Sequence, residues 1–194
     1  AHAVDVVIDE ERRISLANFG EVVESHLKAV DHVRAYAEVA VAERFPTVVT
    51  SAAGYPLDKT YYQTVKGMVG PLDILEPGGT LVIASACSEG MGSAEYVASQ
   101  RRLIEHGAEQ FLRDIMDKSH AAVDEWQTEM LLKSLRVGRV GLFTGGLSED
   151  EHGLTGVEAV DSVAGAVAEA VAAAGDKRVA VIPEGPYVVP RYRP

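Results

Sequence analysis

Gly54-Tyr55-Pro56-Leu57-Asp58-Lys59-Thr60-Tyr61-Tyr62-Gln63-Thr64-Val65-Lys66-Gly67 is the stretch whose reading decides the fold of this chain. It follows a short apolar run, residues 47–53, that predicts a buried strand, and it turns over Gly54 and Pro56. A helical pattern then opens near Asp58. The stretch therefore lies at the carboxyl end of a strand, where open α/β sheets place their ligands. Asp58 is the expected N-cap, because its carboxylate can accept from the free amides of a first turn. Apolar residues at 61, 65, 68, 72 and 75 form a helical stripe that faces the sheet. Tyr62, Gln63 and Lys66 lie off that stripe, about one turn apart, and share the outer face. Polar side chains on an outer helix face are ordinarily just solvated, so spacing alone gives these three no role.

Working outward, the pattern alternates strands with helices. Residues 4–9 and 12–19 read as a hairpin around the acidic turn Asp9-Glu10-Glu11, with Gly20 ending the unit. Residues 21–44 carry a long helical pattern stopped by Phe45-Pro46, since the residue before a proline is pushed out of the helical region. Beyond the quoted stretch, Gly70-Pro71 should interrupt the helix and residues 76–79 form a turn. Residues 80–86 are an uninterrupted apolar run, as in a strand buried on both faces. Helices are expected over 94–105 and 108–118, parted by His106-Gly107, and over 125–136 behind an Asp124 cap. Strands follow at 139–143 and 179–182, with an Ala/Val-rich helix over 157–174 that Gly175 ends. The tail from Pro183 holds four prolines and reads as extended. The class is α/β, a Rossmann-like, mostly parallel sheet flanked by helices with an N-terminal hairpin, read as one domain over 1–194.

Composition narrows the function. The 47% hydrophobic and 24% charged residues suit an ordinary globular core. With 29 acidic against 18 basic residues, the net charge of −11 argues against a nucleic-acid surface, so any anion site must be a local cation. Cys87 is the only cysteine, which rules out an internal disulfide and fits a reducing cytoplasm. No apolar run approaches the ~20 residues of a membrane span. The start at Ala1 without a leader suggests a piece of a longer polypeptide. Six histidines form neither an i, i+4 pair nor a Cys/His cluster, so no metal site is expected from this chain. Gly90-Met91-Gly92-Ser93-Ala94-Glu95 begins like a dinucleotide fingerprint, but Glu95 stands where the third glycine belongs and would repel a pyrophosphate.

The string Ala53-Gly54-Tyr55-Pro56-Leu57-Asp58, followed by Tyr62-Gln63-x-x-Lys66-Gly67, resembles the signature in the C-terminal domain of the nickel-dependent lactate racemase family. It departs at Ala53, since the family usually has Gly-Gly before Tyr-Pro. The resemblance runs over nearly the whole chain but covers only the C-terminal half of the family's protein. It implies a nickel pincer nucleotide, derived from nicotinic acid and tied to a lysine, in an N-terminal domain that also brings the metal-binding and acid–base histidines. For this chain it implies no cofactor of its own, but the second wall of an interdomain cleft that closes over a small 2-hydroxy acid. In the family a hydride leaves the carbinol carbon and returns to either face. Lys66 and Gln63 would serve catalysis, and Tyr62, Lys66, Gln63 and Trp126 would contact substrate. The loops carrying Gly54, Tyr55, Pro56, Asp58, Cys87, Glu89, Gly90 and Gly92 would line the cleft. By pattern alone Trp126 is a core residue on an apolar helix face, and by resemblance it packs over the cofactor ring; both stay open. The isolated chain is expected to be an inactive part of an isomerase whose partner is its own N-terminal domain. Two rival readings are a free-standing Rossmann-like module for small molecules or nucleotides, and a non-catalytic interaction domain.

Overall fold

In the computed structural model, which describes residues 1–194, the N-terminal alternation becomes an antiparallel hairpin of β1 (His2–Ile8) and β2 (Ile14–Glu21). Asp9 closes its turn by accepting from the backbone amides of Glu11 and Arg13. The strand β2 runs through Gly20 instead of ending there, and Glu21 caps α1 (Val22–Ala37) by accepting from the amides of Val23 and Glu24. Residues 1–39 form one compact unit and residues 40–194 a second. The helix expected to run to Arg44 ends at Ala37, and Glu38–Val41 is a strand, β3. The alternating valines at 39 and 41 suit an extended chain better than a helix, because branching at Cβ restricts χ1 in a helical turn.

In the second unit, the apolar run and the quoted stretch give β4 (Phe45–Ser51) and α2 (Tyr61–Val69). Phe45-Pro46 thus opens a strand and terminates nothing. Gly70-Pro71 turns the end of α2 into a 3₁₀ segment. The turn expected at 76–79 is a bulge within β5 (Leu75–Ala84): Phe45 pairs with Leu75, while Thr47 already pairs with Thr80. Ser93 caps α3 (Ala94–Met116), which breaks at Gly107 where φ is +76°, as the His106-Gly107 signal predicts. Then come α4 (Glu125–Val137), β6 (Arg139–Phe143) and α5 (Glu149–Thr155), the last absent from the sequence reading despite its Ser148/Glu151 capping box. The helix expected over 157–174 is shorter. β7 (Glu158–Ala159) precedes α6 (Val163–Ala174), whose cap is Ser162 and whose stop is Gly175. After β8 (Val179–Ile182), the proline-rich tail forms β9 (Val189–Tyr192), which pairs with β3 through Arg193 N donating to the Val41 carbonyl at 2.9 Å.

The main sheet is parallel in the order β7-β6-β5-β4-β8. Val48, Leu81, Ile83, Val140 and Leu142 pack there against Tyr61, Val65 and Met68 of α2, and the same core takes in Tyr96, Leu103, Phe111, Leu131 and Leu132. Strand order reverses between β4 and β8, the place where such sheets usually open a ligand crevice. Here that crevice is filled. The Ser51 hydroxyl donates to the Pro183 carbonyl, and Gly185 lies so close that a Cβ would sit 2.3 Å from Thr50 Oγ1 and 2.5 Å from the Ser51 carbonyl. Open space at the carboxyl end is therefore displaced to the loops after β4 and β5. No helix is long and apolar enough to cross a membrane.

Candidate functional site

Two loops meet at the carboxyl end of the sheet, residues 52–60 after β4 and residues 85–93 after β5. Their joining is almost entirely backbone. Cys87 N donates to the Asp58 carbonyl and Glu89 N to the Lys59 carbonyl, each at 2.7 Å. The first two amides of α2, those of Tyr61 and Tyr62, donate to the carbonyls of Gly90 (2.9 Å) and Met91 (3.0 Å). The expected cap is corrected here. Thr60, two residues later than Asp58, accepts from Gln63 N and starts the helix. Asp58 instead spans the loops, with its carboxylate accepting from Ala86 N at 3.3 Å. Lys59 and Glu89 form an ion pair across the same seam. The joined loops divide the surface into two open depressions. One, of about 460 Å³, is lined by Thr60, Tyr62, Glu89, Gly92, Ser93 and Asp124. The other, of about 370 Å³, takes in Gly54, Asp58, Ser85 and Thr144.

Ala53 and Gly54 both adopt positive φ, +63° and +71°. The Gly-Gly of the resembled signature fits this turn without strain, whereas Ala53 holds a left-handed backbone that its Cβ disfavours. Gly54, Tyr55 and Pro56 are exposed, and the Tyr55–Pro56 peptide is cis. Cys87 joins the loop through its backbone only. Its φ of +47° accompanies a fully buried thiol, 3.4 Å from Thr64 Oγ1 and 3.5 Å from Ser85 Oγ, so its side chain lines no cleft. Gly92 must be glycine: φ is +119° and a Cβ would stand 2.9 Å from that of Tyr62.

The α2 face is organised around Tyr62. Lys66, exposed and without an acidic partner, holds its ammonium 5.7 Å from the centre of the Tyr62 ring. Edge-on to the same ring stand Tyr96 at 5.2 Å and Trp126 at 6.1 Å. Trp126 is 50% exposed, so of the two readings left open for it the core one does not hold. Gln63 is half-buried one position along the helix. Burial, and then the nearby Asp124 carboxylate, raise the Tyr62 phenol above its ordinary pKa, so it stays a proton donor at neutral pH. The structure thus gathers Tyr62, Lys66 and Trp126, with Gln63 beside them, while the loop residues form the adjoining floor.

Three residues that sequence reading left out, or took only as a cap, support this surface from behind. Asp124 does not cap α4; its φ is +61° and its carboxylate accepts from the Ser93 hydroxyl at 2.5 Å. Glu125, only 3% exposed, receives Arg102 Nη1 and Lys118 Nζ on Oε1, both at 2.5 Å, and the Ala122 amide on Oε2. Burial pulls the Glu125 pKa up, but Lys118, Arg102 and that amide outweigh it and the net shift is downward. Gln127, fully buried, donates to the Tyr62 carbonyl at 2.6 Å. The polar run Asp124-Glu125-x-Gln127 around the lone tryptophan was the available signal. With Glu89, Glu95 and Asp124 near the start of α3, the ground there is unfavourable for a pyrophosphate. No three His, Cys, Asp or Glu side chains come close enough together to hold a metal ion.

Comparison with known proteins places the chain. The family model of the lactate racemase C-terminal domain matches residues 41–189. Lactate racemase from Thermoanaerobacterium thermosaccharolyticum is 31% identical over 152 residues, covering 70% of this chain and 32% of that protein. Lactate racemase from Lactiplantibacillus plantarum is 29% identical over 92 residues, covering 47% of this chain and 22% of that protein. The structure of the T. thermosaccharolyticum lactate racemase apoprotein superposes with a TM-score of 0.83 at 26% identity, over 98% of this chain and 46% of that one. A protein from Thermotoga maritima shares the fold at a TM-score of 0.59 and 11% identity. The chain spans about a third of the length of the first of these relatives. It belongs to the lactate racemase C-terminal domain family.

Proposed function

We propose that this member of the lactate racemase C-terminal domain family is the substrate-side wall of a 2-hydroxy acid racemase or epimerase. The observation that carries the reading is the unpaired Lys66 ammonium beside the Tyr62–Trp126 ring pair, on the open carboxyl-end face. A 2-hydroxy acid has one charged handle, its carboxylate. In a chain of net charge −11, Lys66 is the local cation that can hold it. Tyr62, kept protonated beside Asp124, has a hydroxyl for a neighbouring oxygen, and the Gln63 amide can donate to another. Holding the carboxylate at one point and an oxygen at a second fixes the carbinol carbon in one orientation, and such positioning contributes directly to rate.

The cofactor in this reading is a nickel pincer nucleotide held by the other domain of the longer protein. When bound there, it would accept the carbinol hydride and return it to either face. The side chains present fit a wall facing such a group better than a cage around it. They offer an ammonium, a phenol, an amide and a half-exposed indole, and no cluster of metal ligands. Trp126 would pack against the flat ring, while closure of the two domains would exclude water from Lys66 and its anion. Residues of this chain move no proton to the carbinol carbon in this scheme; they bind, orient and desolvate.

Lys66→Ala tests the reading in the full-length enzyme. Loss of a charged contact in a closed site costs about 2–5 kcal/mol, which is roughly a 30- to 5,000-fold fall in kcat/KM. Stability should change by no more than ~1 kcal/mol, since the only interaction lost from the folded domain is a surface cation–π contact. Lys177, exposed at the amino end of β8 and so at the other end of the sheet, is the control. A loss under threefold (about 0.65 kcal/mol) for Lys66→Ala, or one equal to that of Lys177→Ala, would sink the assignment.

A further inference from the structure

Every side chain of the run Asp124-Glu125-Trp126-Gln127 engages a fixed part of the fold, and two of them reach Tyr62. Trp126 meets its ring and Gln127 its backbone carbonyl. The run opens α4 at the end of the connection 117–124, with Asp124 in the left-handed region, so the hydrogen bonds within α4 do not constrain its first turn against α3. Glu125 supplies that constraint. One carboxylate oxygen gathers Arg102, before the Gly107 break in α3, and Lys118, just after α3 ends. The other accepts from Ala122 within the connection. Arg102 is itself held over the Phe111 ring at 5.1 Å, on the far side of the break. A carboxylate that is 3% exposed and gathers the first half of a broken helix and the connection beyond its second half does more than bridge two surface charges.

We propose that Glu125 is a positioning residue, and that its cluster with Arg102, Lys118 and the Ala122 amide fixes Trp126 against Tyr62. This rests on the reading of Tyr62 and Trp126 as parts of the substrate wall, but its first test does not. Trp126 is the only tryptophan of the chain, so emission excited at the red edge of the indole band, where tyrosine does not absorb, reports its position alone. Glu125→Gln keeps the shape and removes the charge. Lys118→Gln removes one cation at a side chain that is one-third exposed, and keeps the fold if the first variant does not. Glu129→Gln, at an exposed pair with Lys133, is the control.

In the 194-residue chain, Glu125→Gln and Lys118→Gln should shift Trp126 emission to the red. Acrylamide quenching should rise about 1.5-fold, because freeing a half-exposed ring can at most double its exposure. The control should do neither. Folded variants with unchanged emission and quenching overturn the proposal. In the full-length enzyme, Glu125→Gln should lower kcat/KM about tenfold and have no further effect in a Trp126→Ala background, since both act through one group. An additive loss would mean that Glu125 acts elsewhere, and would overturn it too. If fluorescence shifts while Trp126→Ala keeps full activity, the positioning of Trp126 stands and its place in the substrate wall falls.

Discussion

Gly92→Ala puts a single methyl group between the loop after β5 and the first turn of α2. The added Cβ would stand 2.9 Å from Tyr62 Cβ, where ordinary contact begins at 3.4 Å, so the two must part by about half an ångström. Neither side has slack, because Tyr62 N is bonded to the carbonyl of Met91, the residue next to Gly92. Backbone strain adds to the clash, since φ is +119° at Gly92 and a non-glycine residue there costs about 1–3 kcal/mol. Overpacking of this kind costs about 1–3 kcal/mol more. The expected total is about 2–6 kcal/mol, which for a chain of this size lowers Tm by roughly 4–24 °C. Gly78→Ala separates the two contributions, because φ there is +83° with nothing within 4 Å of the new Cβ, so it should show the strain alone. Thermal unfolding measures both variants, and Trp126 emission should move only with Gly92→Ala, because only that residue touches the ring beside the tryptophan. A Gly92→Ala melt matching that of Gly78→Ala, with Trp126 emission unchanged, would refute the packing argument.

Two further outcomes follow from the same geometry. Ala53 holds φ at +63°, and relief of left-handed strain by glycine outweighs the added freedom of the unfolded chain, so Ala53→Gly should stabilise the domain by about 0.5–1 kcal/mol in urea unfolding; a destabilised variant would show that the alanine is not strained. Glu125 has a folded pKa below its ordinary 4.5, so it binds a proton more readily unfolded than folded. Its contribution is complete above pH 4.5 and is lost as pH falls through the folded value. Glu125→Gln should therefore flatten the acid limb of the stability curve below pH 4.5, and an unchanged limb would place the carboxylate's ionisation outside the folding equilibrium.

What the sequence made legible was what short-range chemistry controls. The stripe at 61, 65 and 68 faces the core, Gly107 breaks α3, and the strands at 139–143 and 179–182 have the limits their apolar runs suggest. The misreadings have long-range causes. Asp58 and Thr60 are both competent caps. The choice between them was made by amides of residues 86–89 that hold the Asp58 carboxylate and the carbonyls of Asp58 and Lys59. Residues 38–41 became a strand because a tail some 150 positions away offered a ladder to pair with. The crevice at the strand-order reversal closed because Gly185 let that same tail lie on β4.

The candidate site divides along the same line. Lys66, Gln63 and Tyr62 were legible as one helix face from their spacing, and as a candidate site only from the family resemblance. Their surroundings were not, because Gln127 reaches a backbone carbonyl and Glu125 reaches charges on both sides of a helix break, neither of which leaves a mark at fixed spacing. Under the proposed function, that difference suits a wall that would meet its substrate only when a second domain closes on it. Lys66 and Trp126 stand exposed on two regular helices with Tyr62 and Gln63 half-buried between them and the core, and buried polar groups lie behind them. A face so held keeps Tyr62 and Trp126 in register before any ligand arrives, so less ordering is left for the binding step to supply.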